Sequence, residues 1–264
     1  MLFVIDIGNT HTVAGLCDNE VVVKKWRIKT DSLMTADELA ISYHNLLTIA
    51  QIDCNAITSV TVSSVVPRLN SPYYNCCLNL FPNLKKEHYC NLGWRDLAPL
   101  IDIKLDNPEE VGADRLVNGI AAFHYYKSAA IVIDLGTAIT FDCISSQCEY
   151  LGGLILPGLQ IALQALTEKA AKLPQVDIAT PPSQVIGTST VSAIKSGVVH
   201  GYGSMIEGLL GKIIKELAYE KTEVTIVATG GMSTILKPCT PSVQIVEKDL
   251  TLKGLAVISK NLGK

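Results

Sequence analysis

The stretch Val4-Ile5-Asp6-Ile7-Gly8-Asn9-Thr10 recurs about half a chain later as Val132-Ile133-Asp134-Leu135-Gly136-Thr137-Ala138. In each copy an apolar run ends in an aspartate, and a glycine follows two residues after it. Thr140 follows the second aspartate at the spacing with which Thr12 follows the first. The chain therefore contains an internal repeat, which predicts two related halves.

The repeated turn has the chemistry of a phosphate site. An aspartate at the end of a short strand places a carboxylate where it can hold a hydrated cation. The glycine lets a ligand approach the backbone, and threonine offers a hydroxyl to phosphate oxygens. Gly-Asn is also a common β-hairpin turn, so one copy alone has two interpretations, whereas two copies favour a phosphate clamp.

Composition narrows the class of protein. At 264 residues the chain can form one large domain or two ordinary ones, and 48% hydrophobic residues indicate a well-buried core. A net charge of −3 disfavours nucleic-acid binding. We find no targeting signal and no apolar run of about 20 residues, so we expect a cytoplasmic protein without a membrane partner. The eight cysteines lack a Cys-x-x-Cys pair, which disfavours zinc or an iron–sulfur cluster.

Hydrophobic patterns predict a meander followed by a helix in each half. The predicted strands cover 2–5, 12–16, 20–28, 59–66, 129–134, 140–145, 224–228 and 243–247, and helices begin near Thr35, Ser71, Gly112, Gly158, Ser189 and Leu252. Ser63, Ser64 and Arg68, at the exit of the strand 59–66, could face the ligand crevice, but we interpret them as solvated loop residues. The pair Gly230-Gly231 follows a strand, and it leaves room for a base or a phosphate against the backbone.

A second stretch with chemical character is Asn107-Pro108-Glu109-Glu110-Val111-Gly112-Ala113-Asp114-Arg115. Its proline halts the preceding structure, and its glycine permits a sharp entry into a helix. Asp114 in the first turn could simply complement the helix dipole. The dipole disfavours Arg115 there, so this arginine more plausibly binds an anion. The pair is interpreted as a base and an anion clamp.

These features together resemble the actin-like ATPase superfamily. Three stretches, 6–10, 112–115 and 134–138, narrow the resemblance to the type III pantothenate kinases. The similarity covers essentially the whole chain. It implies an α/β fold of two duplicated actin-like ATPase (ribonuclease H-like) domains, over residues 1–115 and 116–264, each a mixed sheet flanked by helices.

The resemblance implies ATP-dependent phosphorylation of the 4′-hydroxyl of pantothenate, the first step of coenzyme A biosynthesis. Asp114 would be the general base, and Asp134 would hold a monovalent cation, potassium or ammonium. The implied pantothenate site is Leu105, Gly112, Ala113, Asp114, Arg115 and Thr190. The implied ATP site is Asp6, Ile7, Gly8, Asn9, Thr10, His11, Thr12, Val13, Thr137, Gly230 and Gly231. Magnesium and a homodimer with pantothenate at the interface are implied as well.

Phosphoryl transfer depends mainly on positioning and charge neutralisation, and an aspartate with an ordinary pKa of about 4 is ionised at pH 7. Two positions depart from the family pattern. Many members have tyrosine where this chain has Leu105, and Asn-Thr where it has Ser189-Thr190. These differences concern substrate affinity more than reaction type.

The sequence is compatible with two alternative functions. Relatives described as transcriptional accessory factors suggest a regulator, against which stand the acidic net charge and the absence of a recognisable helix-turn-helix. A kinase of another small hydroxylated or carboxylate substrate, such as a sugar, is the second. The intact Gly112-Ala113-Asp114-Arg115 stretch favours pantothenate over both.

Overall fold

The structure is a computed structural model that describes residues 1–170 and 173–263. The chain divides into two compact units: Met1–Tyr125 together with the segment from Asp249 onward, and Tyr126–Lys248. The boundary expected between residues 115 and 116 falls inside a continuous helix, Ala113–Tyr126. The compact units are therefore not two consecutive halves of the chain, because the C-terminal segment belongs to the first unit.

The described elements form a mixed α/β fold. The strands are β1 (Leu2–Ile7), β2 (His11–Asp18), β3 (Val21–Lys29), β4 (Ser59–Ser64), β5 (Tyr89–Leu92), β6 (Asp102–Ile103), β7 (Ala129–Leu135), β8 (Ala138–Ile144), β9 (Glu149–Pro157), β10 (Val224–Thr229) and β11 (Ile245–Val246). The helices are α1 (Ala36–Ile49), α2 (Asn70–Leu80), α3 (Trp94–Leu97), α4 (Ala113–Tyr126), α5 (Leu159–Lys169), α6 (Thr190–Glu216), α7 (Ser233–Leu236) and α8 (Leu250–Asn261). Among these helices, none has the length and apolar character needed to cross a bilayer.

The first unit is built on a five-stranded mixed sheet in the order β3-β2-β1-β4-β5. The meander β1-β2-β3 is antiparallel, whereas β4 runs parallel to β1 and β5 parallel to β4. One face packs against α1 and α2, where the Phe3 ring lies 5.7 Å from Tyr43 and 5.3 Å from Phe81. Edge-on aromatic pairs of this kind add about 0.5–1.5 kcal/mol beyond burial. The opposite face packs against α8.

Helix α1 begins where the sequence predicts it. The Thr35 hydroxyl accepts a hydrogen bond from the Glu38 N–H (3.3 Å), and the Glu38 carboxylate accepts one from the Thr35 N–H (2.8 Å). This capping box satisfies two backbone donors at the first turn. Leu39, Tyr43 and Leu47 are buried on one face, which fixes the helix against the sheet.

The second unit repeats this plan. Its strands lie in the order β11-β10-β7-β8-β9, with β7-β8-β9 antiparallel and β10 parallel to β7 and β11. The core packs one face of the sheet, including Ile133 and Phe141, against α6 residues such as Ile206. The glycine-rich stretch before α5 lies within β9 and supplies the third strand of the second meander. The predicted pair of mixed sheets flanked by helices is confirmed.

The two hairpins differ by one residue, so the sequence match of Thr12 with Thr140 is not a structural one. Asp6 lies opposite Val13, but Asp134 lies opposite Thr140. A shift of one residue moves a side chain to the other face of a sheet. Thr12 is accordingly buried on the core face of its sheet, opposite Ile7. Thr140 instead lies on the same face of its sheet as Asp134.

Candidate active site

The first Asp-x-Gly turn is a hairpin connection anchored by the end of β3. The Gly8 N–H donates to the His11 carbonyl (3.1 Å), and the Thr30 hydroxyl donates to the Gly8 carbonyl (2.7 Å). The Thr30 N–H donates to the Thr10 carbonyl (3.0 Å). A Cβ at Gly8 would lie 2.9 Å from the His11 carbonyl oxygen, so only glycine fits without a shift. The turn is therefore held in one conformation, with Asn9 at its exposed tip.

Asp6 lies at the carboxyl edge of the parallel pair β1 and β4, directly opposite Ser63. Ser63 is fully buried, and among the described residues its hydroxyl has no hydrogen-bond partner. The interpretation of Ser63 as a solvated loop residue is wrong, because Ser63 is buried within β4. The Ser64 hydroxyl accepts from the Val66 N–H (3.2 Å) and shapes the strand exit.

Asp114 occupies the first turn of α4, where the backbone holds its carboxylate. Its Oδ1 accepts a hydrogen bond from the Arg115 N–H (2.9 Å), and that N–H also faces the Gly112 carbonyl (3.1 Å). A Cβ at Gly112 would overlap Asp114 Oδ1, which explains the glycine at this position. Burial raises the pKa of Asp114 above its usual value, opposed by the Arg115 N–H and the Arg115 charge. Its pKa is therefore not the ordinary one that the sequence suggested.

The loop after β4 brings the Asp114 helix next to the first turn within the first unit. The Val65 N–H donates to the carbonyl of Ile7 (3.0 Å). The Val65 side chain lies 3.8 Å from where a Cβ of Gly112 would stand. Two stretches more than a hundred residues apart in sequence thus border the same strand exit.

The second Asp-x-Gly turn meets the glycine pair at the carboxyl edge of β7 and β10. Asp134 lies opposite Thr229 in this parallel pair. Gly230 has φ +85°, and a Cβ there would overlap both Asp134 Oδ1 and the Leu135 backbone. The Met232 N–H donates to the Leu135 carbonyl (3.0 Å), which ties the two turns together. The structure therefore places the Asp134 carboxylate next to the Gly230 backbone.

Thr137 lies at the same edge and is exposed. Its carbonyl accepts from the Gly158 N–H (3.1 Å), and a Cβ at Gly158 would overlap that carbonyl. Gly231 is also exposed, beside Gly230. The predicted nucleotide residues of the second unit are thus grouped around one turn.

The predicted pantothenate site also includes Thr190, in the second unit, and Leu105, in the first. Thr190 is exposed at the first position of α6, after Ser189, whose hydroxyl accepts from the Ser192 N–H (3.1 Å). Leu105 is half-buried in the connection between β6 and α4.

Carboxylates at these turns suit a hydrated cation better than a metal held wholly by protein. In the part of the chain that the structure describes, no group of three or more His, Cys, Asp or Glu side chains could hold a metal ion. Magnesium at phosphate sites commonly uses one or two carboxylates, water and the substrate phosphates. The single carboxylate of Asp6, beside a glycine turn, fits that pattern.

The family model for type III pantothenate kinase matches residues 2–212. The chain belongs to the type III pantothenate kinase family. A protein named type III pantothenate kinase from Desulfotalea psychrophila is 46% identical over 264 residues, covering 100% of this chain and 99% of the relative. One of the same name from Desulfatibacillum aliphaticivorans is 42% identical over 258 residues, covering 98% and 97%.

Solved structures with low sequence identity share the fold. One is a protein described as a Baf family transcriptional activator from Campylobacter jejuni, with TM-score 0.56, 19% identity and coverage of 99% and 98%. Another is a ROK family glucokinase from Streptomyces griseus in complex with glucose and AMPPNP, with TM-score 0.55, 10% identity and coverage of 98% and 99%. The resemblance to actin-like kinases is thereby confirmed at the level of fold.

Proposed function

We propose that the protein transfers the γ-phosphoryl group of ATP to the 4′-hydroxyl of pantothenate and so catalyses the first step of coenzyme A biosynthesis. Family membership supports the substrate pair. The single observation that carries the proposal is the placement of Asp114, whose carboxylate is held by the backbone beside the loop that contacts the first phosphate turn.

Asp114 suits the role of general base. Its carboxylate is oriented by the Arg115 N–H before any substrate arrives, so a hydroxyl that donates to it would be positioned for in-line attack. Burial that raises the pKa makes the carboxylate a stronger base than an exposed aspartate. Arg115 would bind the pantothenate carboxylate or stabilise charge on the transferring group.

The hairpin from Asp6 to Val13 would bind the phosphates of ATP. The phosphate ligands would be backbone N–H groups of the turn and the hydroxyl of Thr10. Ile7 and Thr12 face the core and hold the shape of the turn. Asp6 would bind hydrated magnesium, which neutralises phosphate charge when bound.

In the second unit, Thr137 would contact phosphate oxygens, and Gly230 with Gly231 would lie against the nucleotide. Asp134 would hold a monovalent cation, potassium or ammonium. The fit is supported by a carboxylate packed against the Gly230 backbone, where turn carbonyls can complete an oxygen shell.

A homodimer in the cytoplasm is part of the proposal. Four glycines of α6 lie on one helical face, and among the described residues nothing stands within 4 Å of a Cβ built on any of them: Gly197, Gly201, Gly208 and Gly211. Such a stripe allows close helix contact with a second copy.

The two alternative functions differ in the substrates that the protein would consume. A regulator, as the name of the Campylobacter jejuni structure suggests for that protein, would bind nucleotide without turnover. A kinase of another small substrate would phosphorylate a sugar or a simple carboxylate instead.

The test is ADP release by purified protein with ATP, magnesium and potassium, with pantothenate, glucose and acetate supplied in turn. We expect ADP release only with pantothenate, and mass spectrometry should find an equal amount of 4′-phosphopantothenate. Release with another acceptor would favour a different kinase, and no release with any would favour the regulator. Replacing potassium by sodium should lower the rate for wild type and change it little for Asp134→Asn.

A further inference from the structure

Strand β3 carries cations on the face of the sheet away from the α1–α2 core. Trp26 and Ile28 pack against that core, so the alternate residues Lys25, Arg27 and Lys29 point to the opposite face. Lys25 Nζ pairs with Asp249 at 2.5 Å. Within the described residues, no carboxylate forms an ion pair with Arg27 or Lys29, and both are exposed.

The strand register aligns Arg27 with Asp6. Arg27 lies opposite Val13, and Val13 lies opposite Asp6, so the three side chains form one row on the same face. Neighbouring strands are about 4.8 Å apart, which puts the Arg27 and Asp6 backbones roughly 10 Å apart. Lys29 lies opposite His11 at the end of the phosphate turn.

Helix α8 packs on this face of the sheet, and its start lies beside the neighbouring row of Val4, Gly15 and Lys25. Its start is marked by the Lys25–Asp249 pair and by Leu252, which lies 3.1 Å from a Cβ built on Gly15. Its last turns lie at the opposite end of the strands, where Lys260 Nζ pairs with Glu20 at 2.8 Å. The Arg27 row therefore lies toward the N-terminal end of α8, where the helix dipole adds positive potential.

A hairpin that binds the phosphates of ATP needs a positively charged side chain nearby. The only charged side chain of the segment 6–13, apart from His11, is the negative Asp6. The strand register makes Arg27 a diagonal neighbour of His11. Burial, and then the charge of Arg27, lower the pKa of His11, which favours neutral His11 at pH 7. Phosphate sites of kinases ordinarily include a lysine or arginine.

We infer that Arg27 binds the phosphate chain of ATP at the Gly8–Thr10 turn, with Lys29 adding charge beside it. The inference rests on the proposed use of ATP and assigns a phosphate-binding residue outside the segment 6–13. The planar guanidinium can make two parallel hydrogen bonds to phosphate oxygens.

The experiment measures ATP affinity by calorimetry, with magnesium and without pantothenate, for wild type, Arg27→Gln, Arg27→Lys and Lys24→Gln. Lys24 is the matched control because it is exposed on the same strand but lies on the α1 side, opposite Leu16. We expect Kd to rise about 10- to 100-fold for Arg27→Gln, as for loss of a charge-assisted hydrogen bond, and less than 2-fold for Lys24→Gln. Arg27→Lys should give an intermediate value and keeps the test valid if Arg27→Gln folds poorly.

Adenosine lacks phosphates, so its affinity distinguishes the loss of a phosphate contact from a general defect in nucleotide binding. The Kd for adenosine should change less than 2-fold in Arg27→Gln. Equal ATP affinity of Arg27→Gln and Lys24→Gln would overturn the inference, as would failure of wild type to bind ATP. If wild type binds ATP through Arg27 but does not phosphorylate pantothenate, the inference stands and the proposed function fails.

Discussion

At the residue scale, Asp114 links stability to pH. Its raised pKa means that folding favours the protonated carboxyl, so its contribution to stability is full below the unfolded pKa of about 3.9 and is lost as pH rises through the folded pKa. Asp114→Asn, which is neutral at every pH, should therefore be more stable than wild type at pH 7, and the gain should shrink as the pH falls.

Urea unfolding between pH 4.5 and 7.5 measures this difference. Glu109→Gln is the control, because Glu109 is an exposed carboxylate in the loop before the same helix. A stability difference for Asp114→Asn that does not change with pH would show that burial of the charge is not what the mutation relieves.

Ser63 and Arg27 show where residue-level prediction reaches its limit. Both lie in predicted strands, but their neighbours across the sheet are set by register, which a single sequence does not specify. Asp114 was predicted because a local pattern, a glycine before a helix with an acidic first turn, marks it. Ser63 and Arg27 lack such a local pattern.

At the element scale, the Gly230 turn is a tight junction between the ends of β7 and β10. Gly230→Ala would force a side chain into the left-handed region, at about 1–2 kcal/mol, and into Asp134 and the Leu135 backbone. We expect a lower Tm and loss of most kinase activity. Gly93→Ala, where the nearest atom to the new Cβ is 3.6 Å away, should change either quantity far less. Similar effects of the two substitutions would contradict this packing.

The capping box of α1 gives a second prediction at this scale. Thr35→Ala removes the acceptor for the Glu38 N–H and should lower the free energy of unfolding by about 1 kcal/mol. Thr48→Ala, at an exposed position near the other end of α1, is the matched control. Chemical denaturation measures both, and an unchanged Thr35→Ala would mean that the cap does not stabilise the helix.

Most elements could be predicted because their signals are local. The capping box at Thr35, the turn residues Gly8-Asn9 and Asp18-Asn19 between β1, β2 and β3, and the proline after β4 each act over a few residues. The hairpin lengths could not be predicted, because one residue more or less preserves the Asp-x-Gly pattern while it moves Thr12 and Thr140 to different faces.

At the scale of the whole molecule, the path of the chain departs from a simple duplication. Helix α8 follows the second unit in sequence, but it packs on β1 and β4 of the first. The apolar face of α8 predicts that the helix is buried. The strands that it packs against lie more than 180 residues earlier in the chain, so no local signal in the sequence identifies them. The α/β class could be predicted from the resemblance that the repeat supports. The discontinuity of the first unit could not be predicted.

The proposed homodimer is tested by Gly201→Arg on the glycine stripe of α6. Among the described residues nothing lies within 4 Å of the new Cβ, so the subunit fold should persist. We expect the mass from light scattering to fall from dimer to monomer. Ser71→Arg, an equal change at an exposed position of α2, should leave the mass unchanged. A dimeric Gly201→Arg protein would place the interface elsewhere.

The decisive measurement is the rate of 4′-phosphopantothenate formation, compared side by side for wild type and Asp114→Asn with ATP, magnesium and potassium. We expect product from wild type and a kcat lowered about 10²- to 10⁴-fold in Asp114→Asn, the range of a lost general base. Equal rates for the two proteins would contradict the role of Asp114, and no product from wild type would contradict the proposed reaction itself.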